Sequence, residues 1–133
     1  MSNNLLKDIA DYLIIYASDV VTENGVDMFR DSMPDQPDNC VALNEYVGDV
    51  GFDIDLRSIQ VKVRHTSYEQ ARINICKIFK LLYDPEKDVR FIDINETRWI
   101  QVSPRNAPYE LNKDDTGREI FIFNMGVLTN RDS

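Results

Sequence analysis

Apolar residues fall at helical spacing in two stretches of the chain and alternate with polar ones in shorter runs between them. Residues 4–17 put Leu6, Ile9, Leu13 and Tyr16 on one stripe, widened by Leu5, Ala10, Ile14 and Ala17, while Lys7, Asp8 and Asp11 lie off it. This predicts an amphipathic helix. "TENG" at 22–25 ends the pattern, and Gly25 supplies a turn into a strand over "VDMFRDSM". A second strand is expected over "CVALNEYV" at 40–47, where Val41, Leu43 and Val47 share a parity. A third follows over "SIQVKVRHT", with Ile59, Val61 and Val63 on one side and Gln60, Lys62 and Arg64 on the other.

The second helix is predicted to start at Thr66 or Ser67, because "TSYEQ" offers two capping-box pairs, Thr66 with Glu69 and Ser67 with Gln70. Its buried stripe would be Tyr68, Ala71, Ile75, Ile78, Phe79 and Leu82, and Pro85 stops it. Three more strands are expected over "VRFIDI", "TRWIQV" and "REIFIFNMGVLT". Residues 103–117, with two prolines, read as a long loop between the last two strands. The last strand is apolar on both parities around Ile120, Phe121, Ile122 and Phe123, so it should lie centrally in its sheet or be covered by another subunit.

The order helix, three strands, helix, three strands lacks β-α-β alternation. It indicates an α+β fold: a mainly antiparallel sheet of five to six strands with two helices packed on one face. Residues 1–133 are read as one domain, the last few disordered, with a 43% hydrophobic content that suits a real core.

A net charge of −8 with no run of Lys or Arg argues against a broad nucleic-acid surface. No stretch reaches membrane-spanning length, and the interrupted N-terminus does not read as a signal peptide. Cys40 and Cys76, the only two cysteines, are expected to be reduced, buried and cytosolic.

Candidate chemistry begins at "MPDQPDNCVALNEYVG". Pro34-Asp35 or Pro37-Asp38 followed by "QVK" at 60–62 imitates a nuclease motif of two acids and a lysine around Mg²⁺. Gln60 stands where the second acid belongs and offers a cation only a neutral oxygen. Asp49, Asp53 and Asp55 superficially match a calcium loop, without its central glycine or terminal glutamate. His65, the lone histidine, lacks a nucleophile and an orienting partner nearby in sequence, so it reads as structural. Trp99 reads as core or interface packing. No catalytic residue, cofactor or metal is expected, and no enzymatic activity.

Three stretches, read together, resemble a known family. The first is the "P-D-x-P-D" turn with Glu45, Tyr46 and Gly48. The second is Gln-Val-x-Val-Arg at 60–64, running into Tyr68, Glu69 and Ala71. The third runs from Arg98-Trp99 through Pro104-Arg105-x-x-Pro108 and the Leu-x-x-Asp-x-x-Gly-Arg turn of 111–118 to the aromatic last strand. This order resembles the tail-terminator-like minor capsid proteins of bacteriophages, over residues 26–129. The chain departs from the pattern at "NET" before Arg98, where an Asn-Gly turn is usual, and at "LNKDD", where a glycine is expected after leucine.

The resemblance implies a small α+β subunit of the virion, assembled in the host cytoplasm. It would form a ring, commonly a hexamer, on the end of the tail tube. The ring would stop tube polymerisation, meet the head-completion or neck proteins, and let genomic DNA pass without specific binding. Contact elements are expected in the 103–117 and 49–57 loops, with Arg98, Arg105, Tyr109, Asp53 and Asp55 as interface residues. Two alternatives stay open: a head-completion or neck protein, and a small acidic inhibitor of the anti-defence or immunity type.

Overall fold

The computed structural model describes residues 4–46, 56–83 and 91–130. Helix α1 spans Asn4–Tyr16 and helix α2 Tyr68–Leu82. The strands are β1 Met28–Arg30, β2 Cys40–Tyr46, β3 Leu56–His65, β4 Ile92–Asn95, β5 Arg98–Pro104, β6 Tyr109–Glu110 and β7 Glu119–Thr129. The fold is α+β, as the pattern predicts. The expected disordered C-terminus and Pro85 lie outside the described residues.

The sheet is mixed, which corrects the expected mainly antiparallel arrangement, and it has seven strands in the order β1-β2-β3-β7-β5-β4, with β6 beside β7. β1 pairs with β2 in parallel. The physical reason lies in the connection. Residues 31–39 carry the chain back along the sheet before β2 begins, and a return path of this kind is what parallel neighbours require. Asp31, at φ 78, turns the chain out of β1 while its N–H donates to the Leu43 carbonyl. Aspartate is among the few residues that tolerate this left-handed conformation.

Residues 103–117 also differ from the long loop expected there. Much of this stretch is strand edge instead of loop: β5 runs to Pro104 along β7, Arg105 N donates to Asn124 O, and β6 resumes the pairing with Tyr109 opposite Ile122. The prolines interrupt the ladder without ending it. A tight turn closes the hairpin, with Gly117 at φ 82 and its N–H donating to Asp114 O. At the β4–β5 turn no glycine is needed, because Asn95 Oδ1 accepts from both the backbone N–H and the hydroxyl of Thr97.

One cluster of buried side chains joins both helices to the sheet. Leu5, Leu6, Ile9 and Leu13 of α1 and Ala71, Ile75, Ile78 and Leu82 of α2 meet Val41, Leu43, Ile59, Val61 and Val63 from β2 and β3. Phe121, Phe123, Met125 and Val127 of β7 complete it, with Phe79 edge-on to Phe123 at 5.0 Å. Tyr68, expected in the stripe, is half exposed but rests edge-on against Phe121. β7 lies between β3 on one side and β5 with β6 on the other, which accounts for its two apolar parities.

Candidate functional site

The three motif-bearing stretches converge on one point. The turn at 34–38 presents its carboxylates and carbonyls to two arginines whose residues are about 95% buried, Arg64 from the end of β3 and Arg118 from the start of β7. Arg118 Nη2 donates to Asp35 Oδ1 at 3.0 Å and Nη1 to Asp38 Oδ1 at 3.2 Å, and Nη1 also donates to the Asp35 carbonyl. Its Nε donates to Asp114 Oδ2 at 2.8 Å. Arg64 Nε donates to Asp38 O and Nη2 to Pro37 O. Planar guanidinium forks suit such multi-oxygen clamps.

Asp114 is the pivot of this cluster. Burial tends to raise its carboxyl, but hydrogen bonds from the Arg118 and Thr116 N–H groups, the Thr116 hydroxyl and the Arg118 guanidinium outweigh that and hold it at about 2. The Arg118 guanidinium is pushed up: burial lowers it, and the bonds to Asp35 and Asp114 prevail. The turn that imitated a nuclease therefore spends both aspartates on an arginine. Gln60 and Lys62 stand on the opposite sheet face from the core, where Gln60 Nε2 donates to Asn124 Oδ1.

His65 Nδ1 accepts from Ser67 N at 2.9 Å, which fixes a neutral tautomer with the proton on Nε2, and burial lowers its pKa. Ser67 is the N-cap of α2, with Oγ accepting from Gln70 N. Only half of the capping box forms, since the Gln70 side chain donates to Asn74 instead. His65, Ser67, Gln70 and Asn74 line a cleft of about 520 Å³ with Asp19, Asp27 and Asn39. Asp27 already holds the backbone N–H groups of Thr22 and Glu23. Cys40 is buried, and burial pushes its thiol up, so it packs as a small apolar group. Cys76 is half buried in α2.

The expected interface residues fall in different places. Arg98, expected at the subunit surface, is buried: its Nε donates to Asp8 Oδ2 of α1 at 2.6 Å and its Nη1 to Thr129 Oγ1. Arg105 is exposed in the kink between β5 and β6, and Tyr109 is 44% exposed on β6. Trp99 is half buried, with exposed Phe91 edge-on at 4.9 Å. Asp49, Asp53 and Asp55 lie outside the described residues, as does most of 49–57.

Sequence reading missed the ion pairs made by Arg98 and Arg118 and the carbonyl contacts made by Arg64. For Arg98 a signal was present, since it shares strand parity with buried Ile100 and Val102. Glu119 was also missed: it is buried, with Oε2 3.3 Å from Lys113 Nζ, and its Oε1 has no hydrogen-bond partner among the described residues.

What this geometry defines is an α+β fold in which short sequence motifs act as clamps that lock the turns to the sheet. The model of the family described as bacteriophage tail terminator protein matches residues 14–130, and the chain belongs to that family. It is thus a tail-related structural protein of a bacteriophage and a virion component. No curated protein matches the chain in sequence. No helix among the described residues is long and apolar enough to cross a membrane.

Proposed function

We propose that the protein closes the growing end of the tail tube as a ring of identical subunits, most simply a hexamer. The ring stops addition of tube protein and offers its other surface to the head-completion or neck proteins. Its work is done by protein contacts, without catalysis, cofactor or metal, while genomic DNA passes through the opening unread. The observation that carries this reading is the family match over residues 14–130. The acidic balance of −8 agrees with passage without adhesion, because like charges keep phosphates from sticking.

Electron microscopy of purified protein mixed with growing tail tubes tests it, beside light scattering of the protein alone. Rings at tube ends and arrested tube length are the expected result. Tubes that keep growing without end rings, from a protein that stays monomeric at high concentration, would overturn it.

A further inference from the structure

Asn74 is out of place for a residue that only packs. It sits on the buried stripe of α2 with Ala71 and Ile75 and is 8% exposed. Its Oδ1 accepts from Gln70 Nε2, and its Nδ2 donates to nothing among the described residues. Asparagine is a poorer helix former than leucine, and a buried amide short of hydrogen bonds costs free energy. The fold gains nothing from this choice, and Asn74 lines the cleft of about 520 Å³.

The other neutral polar groups of the cleft are in the same condition. Ser67 Oγ and His65 Nδ1 accept from backbone N–H groups, which leaves the serine hydroxyl proton and the His65 Nε2 proton without acceptors among the described residues. Asn39 Oδ1 accepts from Thr66 N while its Nδ2 has no such partner, and Gln70 keeps an unused Oε1. The ionic groups are engaged instead. Arg64 holds the Pro37 and Asp38 carbonyls, Asp19 pairs with Lys77, and Asp27 accepts from the Thr22 and Glu23 N–H groups. What remains to meet a ligand is a row of neutral donors with a neutral acceptor.

From this we infer that the cleft binds an extended, uncharged peptide segment of a partner protein of the tail or neck. Peptide groups offer carbonyl oxygens to the donors and an N–H to Gln70, and they need no free charge. The length agrees. Ser67, Gln70 and Asn74 lie along one side of α2, and from the first to the last the helix rises about 10 Å, which matches about three residues of extended chain. The volume falls within the range of about 300–1,000 Å³ usual for ligand sites. A second copy is the poorer occupant, because permanent subunit contacts are more apolar than this lining. An oxyanion is poorer too, since Asp19 and Asp27 stand on the cleft wall.

Nuclear magnetic resonance titration of the whole chain with acetyl-triglycine amide tests the site, because the lone histidine and the Asn74 side-chain amide both report from it. Saturable shifts of the His65 ring and the Asn74 Nδ2 protons are expected, with inorganic phosphate and acetate at equal concentration shifting them far less. Asn74→Leu should weaken peptide binding about fivefold or more, as loss of a buried hydrogen bond does, and should raise the thermal midpoint. If Asn74→Leu fails to fold, Gln70→Met, at an exposed helix position, makes the same test by removing the acceptor.

Absent or unsaturable shifts, phosphate outcompeting the peptide, or undiminished binding by the folded variant would overturn the inference. So would the same resonances moving as the protein alone is concentrated, because a second copy would then fill the cleft. The inference takes its choice of partner from the function proposed above, while rings at tube ends are read by microscopy, so each can fail without the other.

Discussion

Arg118 and Asp35 stand 83 residues apart in sequence and meet at 3.0 Å, fastening the start of the central strand to the turn that leads into β2. The same guanidinium bonds Asp38 and Asp114, so it is the hub for two separate turns. Replacing it removes both tethers and leaves three carboxylates facing one another. Arg118→Ala should lower the thermal midpoint by several degrees and open residues 31–39 to limited proteolysis. Arg118→Lys should recover only part of the loss, because a lysine ammonium is a point charge and cannot span the oxygens that the fork reaches. An alanine variant with wild-type proteolysis and midpoint would show that the clamp contributes nothing.

Acid should release this cluster in a defined direction. The Asp114 carboxyl is held at about 2, below its ordinary 3.8, so the unfolded chain binds the proton first as pH falls. Its stabilising contribution is therefore complete above pH 3.8 and is lost as pH drops toward 2. Asp11 and Asp19, also lowered, add to the same slope: burial opposes the shift in Asp11, whose bonds to Lys7 and Asn24 prevail, and Lys77 holds Asp19 down. Urea unfolding between pH 2 and 5 checks this. Asp114→Asn keeps an oxygen for the turn N–H groups and should flatten the acid slope without abolishing it.

His65 carries the opposite kind of proton linkage to a paired histidine. Burial lowers its pKa, and its Nδ1 must stay unprotonated to accept from Ser67 N. Stability is then full above the ordinary value of 6.5 and declines as pH falls through the lower folded value. With only one histidine in the chain, its ring proton resonances report the titration directly. His65→Asn, which can offer Oδ1 to the same N–H, should remove the dependence between pH 5 and 7 while holding the start of α2. A histidine titrating at or above 6.5 would contradict the assignment.

The helices and most strands were legible because burial imposes a period, and Leu6, Ile9 and Leu13 or Ile59, Val61 and Val63 display it without reference to anything distant. The direction of β1 relative to β2 was not, since it depends on the path of residues 31–39 and not on which side chains alternate. β6 was hidden by Pro104 and Pro108, which read as loop punctuation although the ladder resumes two residues after Ala107 with Tyr109. Arg64 and Arg118 reach the 34–38 turn across 26 to 83 residues, a pairing that leaves no periodic trace. The short motifs at 34–38, 60–64 and 111–118 were visible, and their shared destination was not.

Gly117 offers a clean measure of backbone strain. It sits at φ 82 in the β6–β7 turn, and a Cβ added there would meet nothing within 4 Å. Gly117→Ala should therefore cost about 1 kcal/mol through conformation alone. Urea denaturation reads this as a lower midpoint with an unchanged m-value. A loss well beyond that would mean that the turn has another contact to lose.

Arg98 and Asp8 permit a separation of charge from packing. The pair joins α1 to β5 at 2.6 Å with side-chain exposures of 5% and 20%, so neither partner is well solvated. Removing Asp8 takes a carboxylate at 2.6 Å away from the buried Arg98 guanidinium, and Asp8→Ala should destabilise the fold by about 3 kcal/mol. The double variant Asp8→Leu with Arg98→Met replaces the pair by apolar side chains and should recover most of that loss, since burying two charges is costly even when they are paired. A double-mutant cycle measured by urea unfolding gives the coupling. Such a recovery would mean that this ion pair specifies where α1 docks and adds little net stability. Additive losses would mean that the two side chains act independently and that their ion pair contributes no coupling.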